Sequence, residues 1–502
     1  MASPLILAID QGTSSTKCLL VDATGLVVAH GQAPVMQATP RPGWVEQDPI
    51  EIWDSVRRAV AGTITPENAK RVSAIGLSTQ RESCVIWDRK TGDPLTPILS
   101  WQDQRTEELC RTLSERGAGV FVRARSGLPL DPMFSAAKAK WLLDRIDPDR
   151  VKARAGGLVI GTIDAFLLSR FGGEAVVEAG NASRTQLVNV ASACFDDDLL
   201  EIFGVPAEAL PRIMPSTGPF PKARGLSPLL GDIPVRAVMA DSHSALFAHG
   251  AFAPGPVKVT QGTGSSVMGL LDRDATRNGE KLHPGLCLTI AWWLDAPVLA
   301  FEGNIRSAGA ALSWTADLLG IDVEAMARLA ATVSDNGGVH LIPGFGGLGA
   351  PWWDAGAVAT LSGFTLGSGR ASAARAALDS IAHQIVDVID AVRSTDVPVA
   401  RVLVDGGLTR NDQLMQFEAD MSGVPVVRTD TAELSALGVA HLAGLADGVF
   451  TLDQLAGLDR GGTVFSPRLT GVERLEKRGA WRLALARSRS TAGIRNLPYD
   501  HG

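Results

Sequence analysis

Tyrosine is almost absent from this chain: 502 residues hold one, Tyr499, close to the C-terminal end. Cysteine is also scarce. The five (Cys18, Cys84, Cys110, Cys194, Cys287) are dispersed, with no Cys-x-x-Cys pair. An odd, scattered set excludes a disulfide framework or a zinc-ligand pattern and reads as buried thiols in a reducing compartment. Basic charge is not in excess either, with 47 Lys and Arg against 54 Asp and Glu, a formal net charge of −7, and no long basic block. That argues against nucleic acid or an anionic membrane as the main partner. No stretch approaches the roughly 18 apolar residues that a membrane span needs. The start, MASPLILAIDQGTSS, has no charged n-region and enters a short apolar strand directly, so it does not read as a signal peptide. A cytoplasmic protein without membrane insertion is expected.

A chain of this length is too long for a single core, so two or more domains are expected. Residues 4–9 form a short apolar, β-prone run, residues 10–16 (DQGTSST) a polar turn, residues 17–21 a second strand, and residues 26–29 a third after DATG. This is an antiparallel meander. The design returns at residues 256–260, the turn GTGSS (262–266) and residues 267–271. Gly12 and Gly262 are 262 − 12 = 250 positions apart, about half the chain. The repeat predicts a duplicated α/β fold, residues 1–252 and 253–502, with a ligand cleft between the halves.

Between the hairpins, Asp48-Pro49-Ile50-Glu51 carries the signature of a helix start, followed by apolar residues at helical spacing. Residues 134–146, 371–392 and 413–422 also read as helices, and the Arg-rich 474–489 as an amphipathic terminal one. Residues 72–78, 235–239 and 402–404 read as buried strands. The Pro- and Gly-rich stretch 210–234 reads as a long surface excursion.

Five motifs carry possible chemistry. In DQGTSSTK, a tight glycine-containing turn exposes backbone N–H groups to an anion, Thr13, Ser14 and Ser15 add hydroxyls, and Lys17 adds a cation. Asp10 has the wrong sign to touch phosphate but suits Mg²⁺ or its waters. Either hairpin alone reads equally as an ordinary polar turn; two facing each other across a cleft would grip a polyphosphate from both sides. In VDGGLTRND (404–412), the double glycine permits flat contact with a ring such as a purine, with Asn411 offering an amide; the alternative is a plain strand–helix connection. In STQRES (78–83), Arg81 and Glu82 read as a surface ion pair or as donor and acceptor for vicinal hydroxyls. Asp241, after a strand and before a helix, reads as a helix cap or as the general base that deprotonates an attacking hydroxyl, with His243 a second candidate base.

These segments together resemble the FGGY carbohydrate kinases, and within them the glycerol kinases, from Ile6 to about Val449. The resemblance is carried by AIDQGTSSTK, PGWVEQDP, STQRES, VIWDRKTGDPL, WQDQRT, GLPLDPMFSAAKAKWLLD, GFGGLGAPWWD, ALDSIAHQ and VDGGLTRNDQLMQF. It implies two actin-like (ribonuclease H-like) domains that transfer a phosphoryl group from ATP, with Mg²⁺, to a hydroxyl of a small polyol. Glycerol is the first expectation. Thr13, Ser14, Ser15 and Lys17 would then contact the β- and γ-phosphates, and Asp10 would lie near Mg²⁺ with Asp241. Thr263, Gly309, Ser313, Gly407 and Asn411 would line the nucleotide. Arg81, Glu82 and Asp241 would hold the substrate, Asp241 being also the base, and Trp101 would wall its carbon chain. The resemblance also implies a homo-oligomer, dimer or tetramer.

The departures concern the substrate. Met133 stands where the family pattern DPYFS has tyrosine, Ser242 where Gln follows the catalytic Asp, Ser266 where an aromatic often closes the second loop, and Ser313 where a Gln often meets adenine. Met133, Ser242 and Ser266 all remove bulk or a hydrogen-bonding group from the polyol side, which predicts a wider pocket and raises a four- or five-carbon polyol or ketose as the alternative. An ATP-driven binding protein of the actin or heat-shock kind shares the two hairpins, but it has no use for Arg81, Glu82, Asp241 and Trp101.

Overall fold

The structure, a computed structural model, describes residues 3–272 and 282–489; Tyr499 lies outside them. The first meander forms as its alternating apolar pattern dictates, but its turn is tighter than DQGTSST implies. The ladder continues through Asp10 opposite Lys17 and Gln11 opposite Thr16, so the strands are Leu5–Gln11 and Ser15–Asp22. Gly12 closes the turn by donating its N–H to the carbonyl of Ser15 (3.0 Å). The third strand, Val27–Pro34, is longer than expected. GTGSS behaves likewise: Gly255–Gln261 pairs with Ser265–Leu270, and both serines belong to the ladder.

The five-stranded first sheet runs Val235–Ala240, Val72–Thr79, Leu5–Gln11, Ser15–Asp22, Val27–Pro34, the first three parallel and the rest antiparallel. The second sheet contains the same series in the same directions: Val426–Arg428, Val399–Asp405, Gly255–Gln261, Ser265–Leu270, Pro297–Ile305. Strands Cys287–Trp293 and Thr463–Phe465 extend it at its edges. The duplicated hairpins are thus the visible part of two domains of the actin-like, ribonuclease H-like α/β kind.

Helix Pro49–Thr63 starts as its sequence predicts, with Asp48 accepting from the Ile50 N–H (2.8 Å). Helices Ser135–Ile146, Arg370–Arg393, Asp412–Ser422 and Gly471–Arg489 answer the other helical patterns. Residues 210–234 run largely over the surface, as expected, but are pinned to the body at a few points. They carry the short strand Arg212–Met214, and Met214, Ala223 and Leu226 enter the first core. Enough apolar residues punctuate the prolines and glycines to hold the segment down.

The halves are joined by close packing. Helix Leu434–Ala446 crosses helix Asp241–Ala248 so tightly that a Cβ on Gly438 would lie 1.8 Å from the Ser244 carbonyl oxygen. A Cβ on Gly76, in the first sheet, would lie 2.4 Å from the Val439 oxygen. Glycine is required at both places because backbone passes where a side chain would stand.

Candidate active site

The ends of the parallel strands meet across a cleft of about 660 Å³. Leu5–Gln11 brings Asp10 to it, Val235–Ala240 brings Asp241 and Ser242, Gly255–Gln261 brings Lys258, and Val399–Asp405 brings Asp405, Gly406 and Gly407. Ligand sites at the carboxyl ends of parallel strands follow from α/β geometry. Lys17 also lines the cleft, in a 2.6 Å ion pair with Glu433 from the other half.

Asp10 and Asp241 both line this cleft. Burial first, and the charge of Asp241 second, push the Asp10 carboxyl up to about 7. Asp10 Oδ1 is buried with no hydrogen-bond partner. Asp241 is the first residue of its helix, one past the capping position, and its Oδ1 accepts the Ser242 N–H at 2.6 Å. Its side chain stays 34% exposed to the cleft. Burial raises its proton affinity, while Arg81, with Nε 3.4 Å from Oδ1, opposes that. His243, the other candidate base, is fully buried. Both its ring nitrogens lack partners, and burial together with nearby Arg81 holds it neutral. It does not line the cleft.

Beside Asp241 lies a buried charge network that sequence showed only in part. Arg81 and Glu82 are both buried, so the surface ion pair is excluded. Glu82 adopts a left-handed conformation (φ 61°), which lets the two neighbours face one site. Arg81 donates Nη1 and Nη2 to the two carboxylate oxygens of Glu302, each at 2.8 Å. Arg184 joins Glu82 at 2.7 Å and Glu302 at 2.9 Å. Ser266 Oγ donates to Glu302 Oε1 at 3.1 Å. Two guanidiniums thus sit among Glu82, Glu302 and Asp241. Met133 flanks a small apolar cluster of Leu128, Phe134 and Cys287, and its carbonyl accepts from Lys138 at 2.5 Å. The Trp101 indole N–H donates to Thr13 Oγ1 at 3.0 Å.

On the other side, the Thr263 carbonyl accepts from Ala308 and Ala310, and Gly309 donates to the Gly262 carbonyl at 2.9 Å. Ser313 is exposed on helix Gly309–Leu319. Gly406, at φ 98°, turns the chain so that Gly407 opens onto free space. Asn411 caps helix Asp412–Ser422, accepting from Leu414 at 2.9 Å, which leaves its amide N–H groups for a ligand.

Sequence reasoning missed Glu302, Arg184, Lys258 and Asp405. Lys258 is fully buried with Nζ unpartnered, and burial depresses its proton affinity while Asp405 and Asp241 support its charge. A signal was present: a lysine in PVKVTQ and a glutamate in VLAFEGNI interrupt apolar strands, and buried charges of that kind need partners.

Against known families, residues 5–248 match the N-terminal domain and residues 257–446 the C-terminal domain of the FGGY family of carbohydrate kinases. The chain is an FGGY kinase. A glycerol kinase of Paraburkholderia phytofirmans is 40% identical over 98% of this chain and 99% of that one. An apulose kinase of Pectobacterium atrosepticum is 39% identical over 97% and 99%. Among solved structures, the glycerol kinase of Plasmodium falciparum with ADP superposes with a TM-score of 0.89 at 29% identity, covering 97% of this chain and 98% of that one. As a family member the protein is an ATP-dependent phosphotransferase acting on a small sugar or polyol, and no described helix is long and apolar enough to cross a membrane.

Proposed function

We propose that this FGGY kinase transfers the γ-phosphoryl group of ATP to a terminal hydroxyl of a small polyol, glycerol giving glycerol 3-phosphate. The observation that carries this reading is Asp241. It stands open to the cleft between Arg81 of the buried network and the Asp10 carboxylate. A hydroxyl held against the Arg81–Glu82 pair has its proton within reach of Asp241, and the oxygen it frees faces the phosphate side.

The nucleotide would lie between the two hairpins, with Thr13, Ser14, Ser15 and Lys17 on one side, Thr263, Gly309 and Ser313 on the other, and Gly407 and Asn411 at the adenosine. Mg²⁺ fits the donor set: an orphaned buried oxygen on Asp10 and a second carboxylate, Asp241, in one cleft. Among the described residues no group of three or more Asp, Glu, His or Cys is placed to hold a metal. Waters and phosphate oxygens would complete the shell, as they do for this ion. When bound, Mg²⁺ neutralises charge on the transferring phosphates. Lys258, its proton affinity lowered by burial but supported by Asp405 and Asp241, would add positive charge at the phosphates when protonated. Lys258→Met is expected to lower kcat about 100-fold, with the polyol KM little changed, in a coupled ADP-release assay. An unchanged kcat would remove Lys258 from the site.

A second reading, a kinase for a four- or five-carbon polyol or ketose, is favoured by the small residues Ser242 and Ser266, and the Ser266 hydroxyl is already engaged by Glu302. The full-length similarity to both a glycerol kinase and an apulose kinase leaves both readings alive. The deciding experiment is kcat/KM across glycerol, erythritol, xylitol and pentuloses. Glycerol leading by orders of magnitude establishes the first reading, and a pentulose or tetritol in front establishes the second. The reading also places the protein in the cytoplasm, as a homo-oligomer, with its domain division at residues 252/253.

A further inference from the structure

The polyol side and the phosphate side of the site are joined by a closed ring of hydrogen bonds. From Thr13, the carbonyl oxygen accepts Gln47 Nε2 at 2.7 Å, and Gln47 Oε1 accepts Gln80 Nε2 at 3.1 Å. Gln80 Oε1 accepts the Ser83 hydroxyl at 3.0 Å, and Ser83 Oγ accepts the Trp101 backbone N–H at 3.1 Å. Trp101 closes the ring through its indole N–H on Thr13 Oγ1 at 3.0 Å. A branch ties the ring to the same loop again: Gln80 Nε2 donates to Gln11 Oε1 at 3.1 Å, and Gln11 Nε2 donates to the Gly12 carbonyl at 2.7 Å. Gln11, Gln47, Gln80 and Ser83 are at most 2% exposed.

Two consequences follow from the direction of these bonds. Both ends of the ring arrive at Thr13 as donors, one to its carbonyl and one to its hydroxyl oxygen. With Trp101 donating to its oxygen, the Thr13 hydroxyl keeps its own proton to donate to a ligand. In addition, Arg81 and Glu82 lie on the four-residue segment between Gln80 and Ser83, which the ring clamps at both ends. Buried amides engaged through both oxygen and nitrogen hold one geometry, because a flip of the amide leaves polar groups unpaired.

We propose that this ring couples occupancy of the polyol pocket to the donor geometry of Thr13, with Gln47, Gln80 and Ser83 as positioning residues and Trp101 as the link. A substrate lying against the face of Trp101 fixes the indole, and its edge N–H then fixes the hydroxyl that meets the γ-phosphate. The inference rests on the polyol kinase reading.

The test is a double-mutant cycle on kcat with the preferred polyol, using Thr13→Ala and Trp101→Phe, the latter keeping an aromatic face but losing the N–H. Trp101→Phe alone is expected to lower kcat about 10-fold with the polyol KM within about twofold. In the Thr13→Ala background the same change is expected to cost less than about twofold, and in a Thr13→Ser background the full effect returns. Ser83→Ala, which removes one buried hydroxyl and touches neither substrate, should repeat the pattern and serves in place of Trp101→Phe if that variant does not fold. Additive losses, or a raised polyol KM with kcat intact, overturn the coupling and leave Trp101 as a wall alone. Failure of the unmodified enzyme to release ADP with any polyol or ketose would instead sink the kinase reading itself, a result the cycle cannot mimic.

Discussion

Replacing Asp241 by Asn should abolish phosphoryl transfer for practical purposes, lowering kcat about 1,000-fold, within the range general bases contribute. The substitution keeps shape and one acceptor, so the Ser242 N–H retains its partner and the helix start is undisturbed. What is lost is the ability to take a proton from the substrate hydroxyl. The Arg81 guanidinium, whose Nε lies 3.4 Å from Asp241, keeps Glu302 on both terminal nitrogens and Glu82 at 3.7 Å from Nε, so its charge is not left unpaired. The same change removes a like charge from beside Asp10, whose carboxyl is raised to about 7 partly by Asp241. Stability should therefore hold or rise, and a thermal melt that does not fall separates lost chemistry from lost folding. Retention of more than a tenth of the wild-type kcat, with the polyol at saturation, would remove Asp241 from the role of base.

The legible part of this protein was whatever local pattern encodes. Strand–turn–strand alternation, an Asp-Pro helix start and the 250-residue spacing of Gly12 and Gly262 all depend on neighbours within a few residues or on self-similarity. They led to the duplicated fold and to Asp10, Lys17, Asp241 and Gly407, which do meet at one cleft. Local pattern erred by a residue or two at the hairpins, because Asp10, Gln11, Ser15 and Thr16 look like turn residues yet complete a ladder. It could not supply Arg184 or Glu302, whose partners are 102 and 221 positions distant. Nor could it reveal that Trp101 meets Thr13 through an edge N–H, since side-chain direction is settled only when distant segments pack.

Glu302 carries the largest expected effect on stability. It is fully buried, yet it receives both terminal nitrogens of Arg81, one of Arg184 and the Ser266 hydroxyl. These guanidiniums hold its carboxyl well below the usual range against the opposing effect of burial. Both arginines come from the first half of the chain and Glu302 from the second, so the cluster is also a bolt between the halves. Removing one member of a buried ion cluster costs more than the cluster is worth, because the remaining charges stay in a low dielectric without partners. Glu302→Ala is therefore expected to destabilise the protein by about 3–5 kcal/mol in chemical denaturation. Glu302→Gln, which keeps volume and one acceptor, should lose less. Because the folded carboxyl is the more acidic one, this stability is present above the ordinary carboxylate range and drains away as pH falls below it. The wild-type advantage over Glu302→Ala should accordingly shrink in acid. A loss under about 1 kcal/mol at neutral pH would mean that Arg81 and Arg184 find water or Glu82 instead, and the halves would then have to be held chiefly by the close crossing at Gly438 and Ser244.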